Sequence, residues 1–134
     1  MADPFGSFAS LSNQGLVTQE NNACFRVERN FLISLLAHRI STVRFDEVWY
    51  LSRYPDVREA IKQGVIASGR DHYIQSGYYE HRMPCAILIK EKWYLDAYPD
   101  VAEAIRKGVY KTGQAHFDTA GFREGRLPYA NFQL

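Results

Sequence analysis

The chain contains the same sequence pattern twice, and this duplication restricts its possible folds more than any other feature. Residues 49–84 align with residues 93–128 without a gap, at an offset of 44 positions (93 − 49), and 18 of the 36 aligned positions carry the same residue. Tandem units of this size are typical of helical repeat proteins, in which each unit buries its apolar face against a neighbour. The sequence therefore predicts two copies of one structural unit.

Each copy is predicted to form three short helices. In the first copy, one helix covers residues 46–53, and Pro55 then suits the first turn of a second helix. That second helix carries an apolar stripe at spacings of three and four residues and ends at Gly64, where a left-handed residue is favoured. Ser68 is a suitable N-cap for the third helix. The same signals recur 44 residues later, where the first helix covers residues 90–97.

With the segments outside the repeats, the predicted fold is all-α: an N-terminal helix plus two tandem three-helix repeats. The amphipathic pattern before the repeats predicts a helix that would cover the apolar face of the pair. The apolar run 85–89 is interpreted as an extended linker, with a strand as the alternative. The predicted organisation is a flexible N-terminal segment 1–20 and a single helical domain 21–134, which contains the N-terminal helix 22–40, repeat one 45–84, repeat two 89–128 and a tail 129–134.

Charge and composition exclude several classes of partner. The formal net charge is +1 and the third predicted helix of repeat one carries no Arg or Lys between residues 71 and 75, so a nucleic-acid partner is not expected. The longest apolar run is too short to span a bilayer and the start of the chain does not resemble a secretory signal, so no membrane partner is expected and a cytoplasmic location is predicted. Cys24 and Cys85 have no metal-ligand spacing and are interpreted as free thiols, although their pairing stays open.

No catalytic signature is present in the sequence. It contains no nucleophile elbow, P-loop, dinucleotide-binding glycine pattern, HExxH or CxxC motif, so an enzyme and a cofactor are not expected. His72 and His116 occupy equivalent positions but lack a partner at metal-ligand spacing, and the prediction is that they pack half-buried and bond to the backbone. Asp71, Tyr79 and His81 occur only in repeat one, where they could take part in acid–base chemistry.

The predicted function is a non-catalytic helical module that binds another protein or a second copy of itself, as a scaffold or adaptor. The alternative is a small-molecule or carbohydrate-binding domain with a cleft between the repeats. Aromatic residues and arginines are enriched at interfaces. The candidate binding residues are therefore Trp49, Tyr50, His72, Arg82, Trp93, Tyr94, His116 and Arg126.

Two of these candidates have a structural alternative. Arg82 and Arg126 each follow a glutamate and precede a proline, and they are predicted to pair with Asp56 or Asp100 at the start of the second helix. The alternative for the same arginines is an anion or sugar site. In each repeat, the Trp-Tyr pair is predicted to contribute one core residue and one partly exposed residue.

The shared pattern WYLxxYPDVxxAIxxG, followed by His-aromatic, Gly and E-G-R-x-P positions, resembles a repeat unit found in bacterial proteins beside glycosyltransferase or methyltransferase domains and in some exported repeat proteins. The resemblance covers about 80 residues, from Asp46 to Pro128. It implies an accessory helical module and carries no catalytic residues. Repeat one departs from the pattern, because His81 replaces the glycine found at Gly125 in repeat two, and this difference predicts a different local backbone in the two turns.

Overall fold

The computed structural model, which describes residues 7–134, divides the chain into two units between Thr42 and Val43. The all-α prediction is wrong, because the first unit contains a two-stranded antiparallel sheet between its two helices. The elements of this unit, in chain order, are α1 (Phe8–Asn13), β1 (Val17–Asn21), β2 (Cys24–Val27) and α2 (Arg29–Ser41).

The hairpin occupies residues that were predicted to be flexible segment and helix. Val17 pairs with Val27 across the strands, and the side-chain oxygen of Asn21 accepts a hydrogen bond from the amide of Ala23 in the turn. The carboxylate of Glu28 then caps the following helix, so the predicted helix 22–40 begins only at residue 29. Leu11, Val17 and Phe31 form the buried core of this unit. Residues 1–6 of the predicted flexible segment lie outside the described residues.

The second unit contains both repeats, whose helices lie close to the predicted positions. Pro55 and Pro99 each occupy the first turn of a helix. The helices are α3 (Glu47–Arg53), α4 (Pro55–Lys62) and α5 (Gly69–His72) in repeat one, and α6 (Glu91–Ala97), α7 (Pro99–Arg106) and α8 (Gly113–His116) in repeat two. The last helix of each repeat continues into a π-helical turn, Tyr73–Gly77 or Phe117–Gly121.

Each repeat is closed by its terminal proline. The amide of Asp46 donates to the carbonyl of Pro84 at 3.1 Å, and the amide of Lys90 donates to the carbonyl of Pro128 at 3.0 Å. After Pro84 the chain forms an irregular linker without helix or strand assignment, as predicted for residues 85–89. Cys85 of this linker is buried in the core of repeat two.

The hydrophobic core of repeat two extends across the repeat boundary. Tyr94, Val101 and Phe117 are fully buried in repeat two, and Trp49 and Met83 of repeat one pack against the same cluster. This packing across the repeat boundary follows from the rule that repeat units bury their apolar faces against neighbours.

The turns that end the two repeats have the same backbone conformation, contrary to the prediction. His81 has a φ angle of 58° and Gly125 has one of 74°, so both residues are left-handed. Histidine tolerates this region better than most residues but less well than glycine.

No helix in residues 7–134 has the length and apolarity required to cross a membrane.

Candidate functional site

A tyrosine–histidine pair lies at the centre of each repeat. The hydroxyl of Tyr50 and Nδ1 of His72 are 3.0 Å apart, and the hydroxyl of Tyr94 and Nδ1 of His116 are 2.9 Å apart. The prediction that these histidines bond to the backbone is therefore wrong, since the partner of each is a buried tyrosine. Gly77 lies so close to the Tyr50 hydroxyl that an added Cβ atom would overlap the oxygen.

Burial and a neighbouring positive charge both favour the neutral form of these histidines. Burial lowers the pKa of His116, and the positive charge of Arg126 lowers it further. Burial and the charge of Arg82 act in the same way on the pKa of His72. Burial also raises the pKa of Tyr94 to about 12, so the tyrosine stays protonated. A neutral imidazole can accept the phenolic proton at Nδ1, and the pairs therefore act as closed internal hydrogen bonds.

The repeated arginines form the predicted ion pairs. Arg82 donates two hydrogen bonds to the carboxylate of Asp56, at 3.0 and 2.7 Å, and a third to Glu80 at 2.6 Å. Arg126 binds Asp100 and Glu124 in the same geometry. The bonds from each arginine hold the pKa of its aspartate below the usual value. These pairs connect the turn at the end of each repeat to the start of its second helix.

Tyr54 and Tyr98 complete this arrangement. The guanidinium of Arg82 lies 4.9 Å from the ring centroid of Tyr54, whose hydroxyl accepts a hydrogen bond from the amide of Met83 at 2.8 Å. Tyr98 has the same relation to Arg126 and to the amide of Leu127. The aromatic ring and two carboxylates thus satisfy each arginine.

A second repeated contact was not found from the sequence. The carboxylate of Glu47 accepts hydrogen bonds from the amides of Gly69 and Arg70, and Glu91 accepts from Gly113 and Gln114. Each glutamate therefore binds the first amides of the third helix in its own repeat. The signal was available, because this glutamate is identical in both copies.

The eight candidate residues therefore do not meet in one site. Tyr50 and Tyr94 are fully buried, whereas Trp49 and Trp93 are partly buried against the core of repeat two, as predicted for these pairs. The histidines and arginines belong to separate networks, one per repeat. The residues that both repeats retain are consequently a framework that holds each repeat together.

Surface that is open to a ligand lies instead where the repeats meet. A cleft of about 390 Å³, here called the junction cleft, lies between the end of α3, the final turn of repeat one and the π-helical turn of repeat two. Its lining is rich in charged residues, which are Arg53, Glu80, Arg82, Asp118 and Arg123, and it also includes His81. The nitrogen Nη2 of Arg53 donates to the carbonyl of Asp118 at 3.2 Å across this boundary.

Two less polar grooves adjoin the cleft. The linker groove, of about 330 Å³, is lined by Trp49, Leu88 and neighbouring residues, and it shares Arg53, Met83 and Asp118 with the junction cleft. The tail groove, of about 480 Å³, lies between the linker and the C-terminal tail, and both grooves include Leu88. The three depressions therefore follow one another along the surface.

One edge of the linker is open. Its side chains alternate, so that Cys85 and Ile87 are buried while Ala86 and Leu88 are exposed, with Leu88 at 76%. Gln114 binds the opposite edge, accepting from the amide of Ile89 and donating to the carbonyl of Ile87. Within the described residues, the main-chain groups of Ala86 and Leu88 have no hydrogen-bond partner. This edge is therefore available to an extended chain.

The sequence did not predict most of the residues that line these depressions. The candidate residues were mainly positions that both repeats share, and those positions belong to the framework. Arg53 and Arg123 have no counterpart of the same type in the other repeat, where Ala97 and Tyr79 stand. His81 was noted as specific to repeat one, and it does line the cleft, but Asp71 does not. In residues 7–134, no three His, Cys, Asp or Glu side chains are grouped so as to hold a metal ion.

In comparisons with known proteins, no family model matches the chain, and no curated protein or solved structure is detectably similar to it.

Proposed function

We propose that this chain is a non-catalytic interaction module that binds an extended segment of a partner protein along the linker, between the two repeats. The open edge of the linker carries the proposal, because Ala86 and Leu88 are exposed residues whose main-chain groups have no hydrogen-bond partner within the described residues, so they can pair with an added strand. An extended ligand would place alternate side chains in the grooves on either side of Leu88.

The histidines and tyrosines support a non-catalytic role. Tyr50 and Tyr94 are fully buried, and each hydroxyl is already paired with a histidine. A substrate could reach these groups only after the repeat had opened. The accessible cleft contains arginines and carboxylates that are suited to recognition rather than to the activation of a nucleophile.

The small-molecule alternative has one observation in its favour, which is the size of the junction cleft. A volume of about 390 Å³ lies within the range of ligand sites. Such sites are usually lined by apolar side chains with few polar groups, however, whereas five charged residues and a histidine line this cleft. An exposed, charged cleft continuous with the open edge of the linker suits a protein segment better.

Location and biological context belong to the same proposal. Cys24 and Cys85 are both free thiols, which is the usual state in a reducing compartment, and a cytoplasmic location is proposed on that basis. The resemblance of the repeats to accessory units in larger bacterial proteins likewise suggests an adaptor role. A second copy of the chain is the simplest specific partner to test.

The test compares two variants that add the same charge at exposed apolar positions. Leu88→Asp alters the open edge, whereas Val109→Asp alters a residue that is 66% exposed but lines none of the three depressions. Tagged wild type and both variants are used to purify partners from the native host, and each candidate partner is then re-examined with purified components. Native mass spectrometry reports the composition of the complexes.

Support would be a defined protein, or a second copy, that binds wild type and Val109→Asp with equal affinity and binds Leu88→Asp at least tenfold more weakly. Equal binding by both variants would show that the linker edge is not the docking surface. A stoichiometric small molecule of defined mass on the wild-type protein, with no protein partner, would favour the alternative function.

A further inference from the structure

The junction cleft is built from side chains that the repeat framework does not require. Arg53, His81 and Arg123 line it together. The other repeat folds in the same way without each of these residues, so their presence is not explained by the fold. At the equivalent positions the other repeat has Ala97, Gly125 and Tyr79.

Two of the three arginines in the cleft have no acidic partner. Within residues 7–134, neither Arg53 nor Arg123 forms an ion pair, whereas Arg82 is held by Asp56 and Glu80. Arg53 makes only a bond to the carbonyl of Asp118 and a contact of 5.8 Å with the ring of Tyr54. A guanidinium without a carboxylate retains donors for an anion.

The charges of the three arginines also act on one phenol, that of Tyr54, which lines the same cleft. Burial raises the pKa of the Tyr54 hydroxyl, and the charges of Arg53, Arg82 and Arg123 all oppose that rise. Counting the lining side chains, three arginines face two acids, Glu80 and Asp118. Arg82 is bound by Glu80 and by Asp56, which lies outside the lining, so within the described residues the arginine charges of the cleft without an acidic partner are those of Arg53 and Arg123.

His81 adds an independent observation. Its backbone conformation has a steric cost that glycine in the same conformation would not have. Its φ angle is 58°, whereas repeat two has glycine at this turn with a φ angle of 74°. A left-handed non-glycine residue costs on the order of 1 kcal/mol. Backbone strain of this kind tends to occur at functional sites, and His81 is among the residues that line the cleft.

We propose that the junction cleft binds an aspartate or glutamate side chain of the partner segment between Arg53 and Arg123, while the adjoining linker groove takes an apolar side chain from the same segment. The inference rests on the proposed function and specifies its ligand as an extended acidic–apolar peptide. The two depressions share Arg53, Met83 and Asp118, so one short segment can enter both.

The experiment is a selection from a library of random 12-residue peptides displayed on phage. The full chain is compared with the Arg53→Ala/Arg123→Ala double variant and with Arg58→Ala. Arg58 is an exposed arginine of α4 outside the cleft, so it serves as the control for loss of a positive charge. An enriched peptide and its analogue with Gln for Glu and Asn for Asp are then titrated into ¹⁵N-labelled protein.

We expect wild type and Arg58→Ala to enrich peptides in which an acid lies a few residues from a large apolar residue. The double variant should lose the acid preference and bind the enriched peptide about tenfold more weakly. The amide analogue should show a similar loss with wild type. Amide signals of residues 53, 81, 86–88 and 118–123 should shift on binding.

The possible failures are distinguishable. Enriched peptides without an acid preference, bound equally by wild type and the double variant, would overturn the carboxylate site and leave the linker groove as the docking surface. No enrichment at all would count against the proposed function as well. If free glutarate or inorganic phosphate shifts the cleft signals at the concentration required for the peptide, the cleft is a small-anion site and the peptide proposal fails.

Discussion

Repeat one and repeat two contain the same internal contacts but expose different side chains where they meet. The tyrosine–histidine pair, the arginine–aspartate pair and the glutamate that binds the third helix recur with nearly equal distances. Arg53, His81 and Arg123, in contrast, each lack an equivalent. Residues that are identical in the two repeats therefore form the framework, whereas residues that differ between them form the surface that can recognise a ligand.

The strongest test of equivalence removes a glycine from each framework. Gly77→Ala and Gly121→Ala would each force a Cβ atom onto the hydroxyl of Tyr50 or Tyr94. We expect each change to lower the free energy of unfolding by about 3 kcal/mol, because the surrounding core is closely packed. Urea denaturation followed by circular dichroism measures the loss.

Removing the tyrosine hydroxyl identifies the cause of that loss. Tyr94→Phe should relieve the overlap, so the double variant with Gly121→Ala should lose less stability than the sum of the two single variants. Costs for Gly77 and Gly121 that differ by more than about 1 kcal/mol would break the equivalence of the two repeats.

A smaller effect is expected for the arginines. Arg82→Met and Arg126→Met should each cost about 1–2 kcal/mol, since a bidentate bond and an aromatic contact are lost at a partly exposed site. Thermal and urea unfolding measure the change. A double-mutant cycle of Arg126→Met with Asp100→Asn should give a coupling of about 1 kcal/mol, and additive effects would argue against the ion pair.

The smallest effect concerns the one turn in which the repeats differ in residue type but not in backbone. His81→Gly should raise the free energy of unfolding by about 0.5–1 kcal/mol, because glycine adopts a positive φ angle without steric cost. Gly125→Ala should lower it by a similar amount in repeat two. If His81→Gly instead lowers the free energy of unfolding, the imidazole stabilises the fold. Stability alone would then explain why a histidine lines the cleft.

The sequence predicted the helix positions of the repeats well because their signals are local. Proline at the start of a helix and a left-handed glycine at its end act within a few residues, so the positions of α4 and α7 follow directly. The arginine–aspartate pairs could be predicted because both partners recur in both copies. The π-helical turns were not predicted, although each ends at a glycine that lies against the hydroxyl of a buried tyrosine.

The hairpin was missed for a physical reason. Its strands are short, and β2 contains Phe25 and Val27 in a stretch whose apolar residues also fit a helical period. The turn at Asn22 and Ala23 lacks the glycine that marks most two-residue hairpins. The identity of the strand partner is set by tertiary pairing, which local patterning does not show.

The candidate site was missed for a different reason. Residues 53, 81 and 123 are brought together by the packing of one repeat against the other. No spacing in the sequence places them in one cleft. A comparison of the two copies for unmatched charged residues would nevertheless have selected all three, and it is the useful signal for tandem repeats of this kind.

The closure of each repeat by its own terminal proline has a consequence for synthesis on the ribosome. The amide of Asp46 can form its hydrogen bond as soon as Pro84 has emerged from the ribosome. The linker residues that belong to the core of repeat two come directly after Pro84 in the chain. Each stage of folding therefore uses only chain that has already been made. The protein can be assembled from its amino terminus onward, and repeat two forms on a completed neighbour instead of waiting for one.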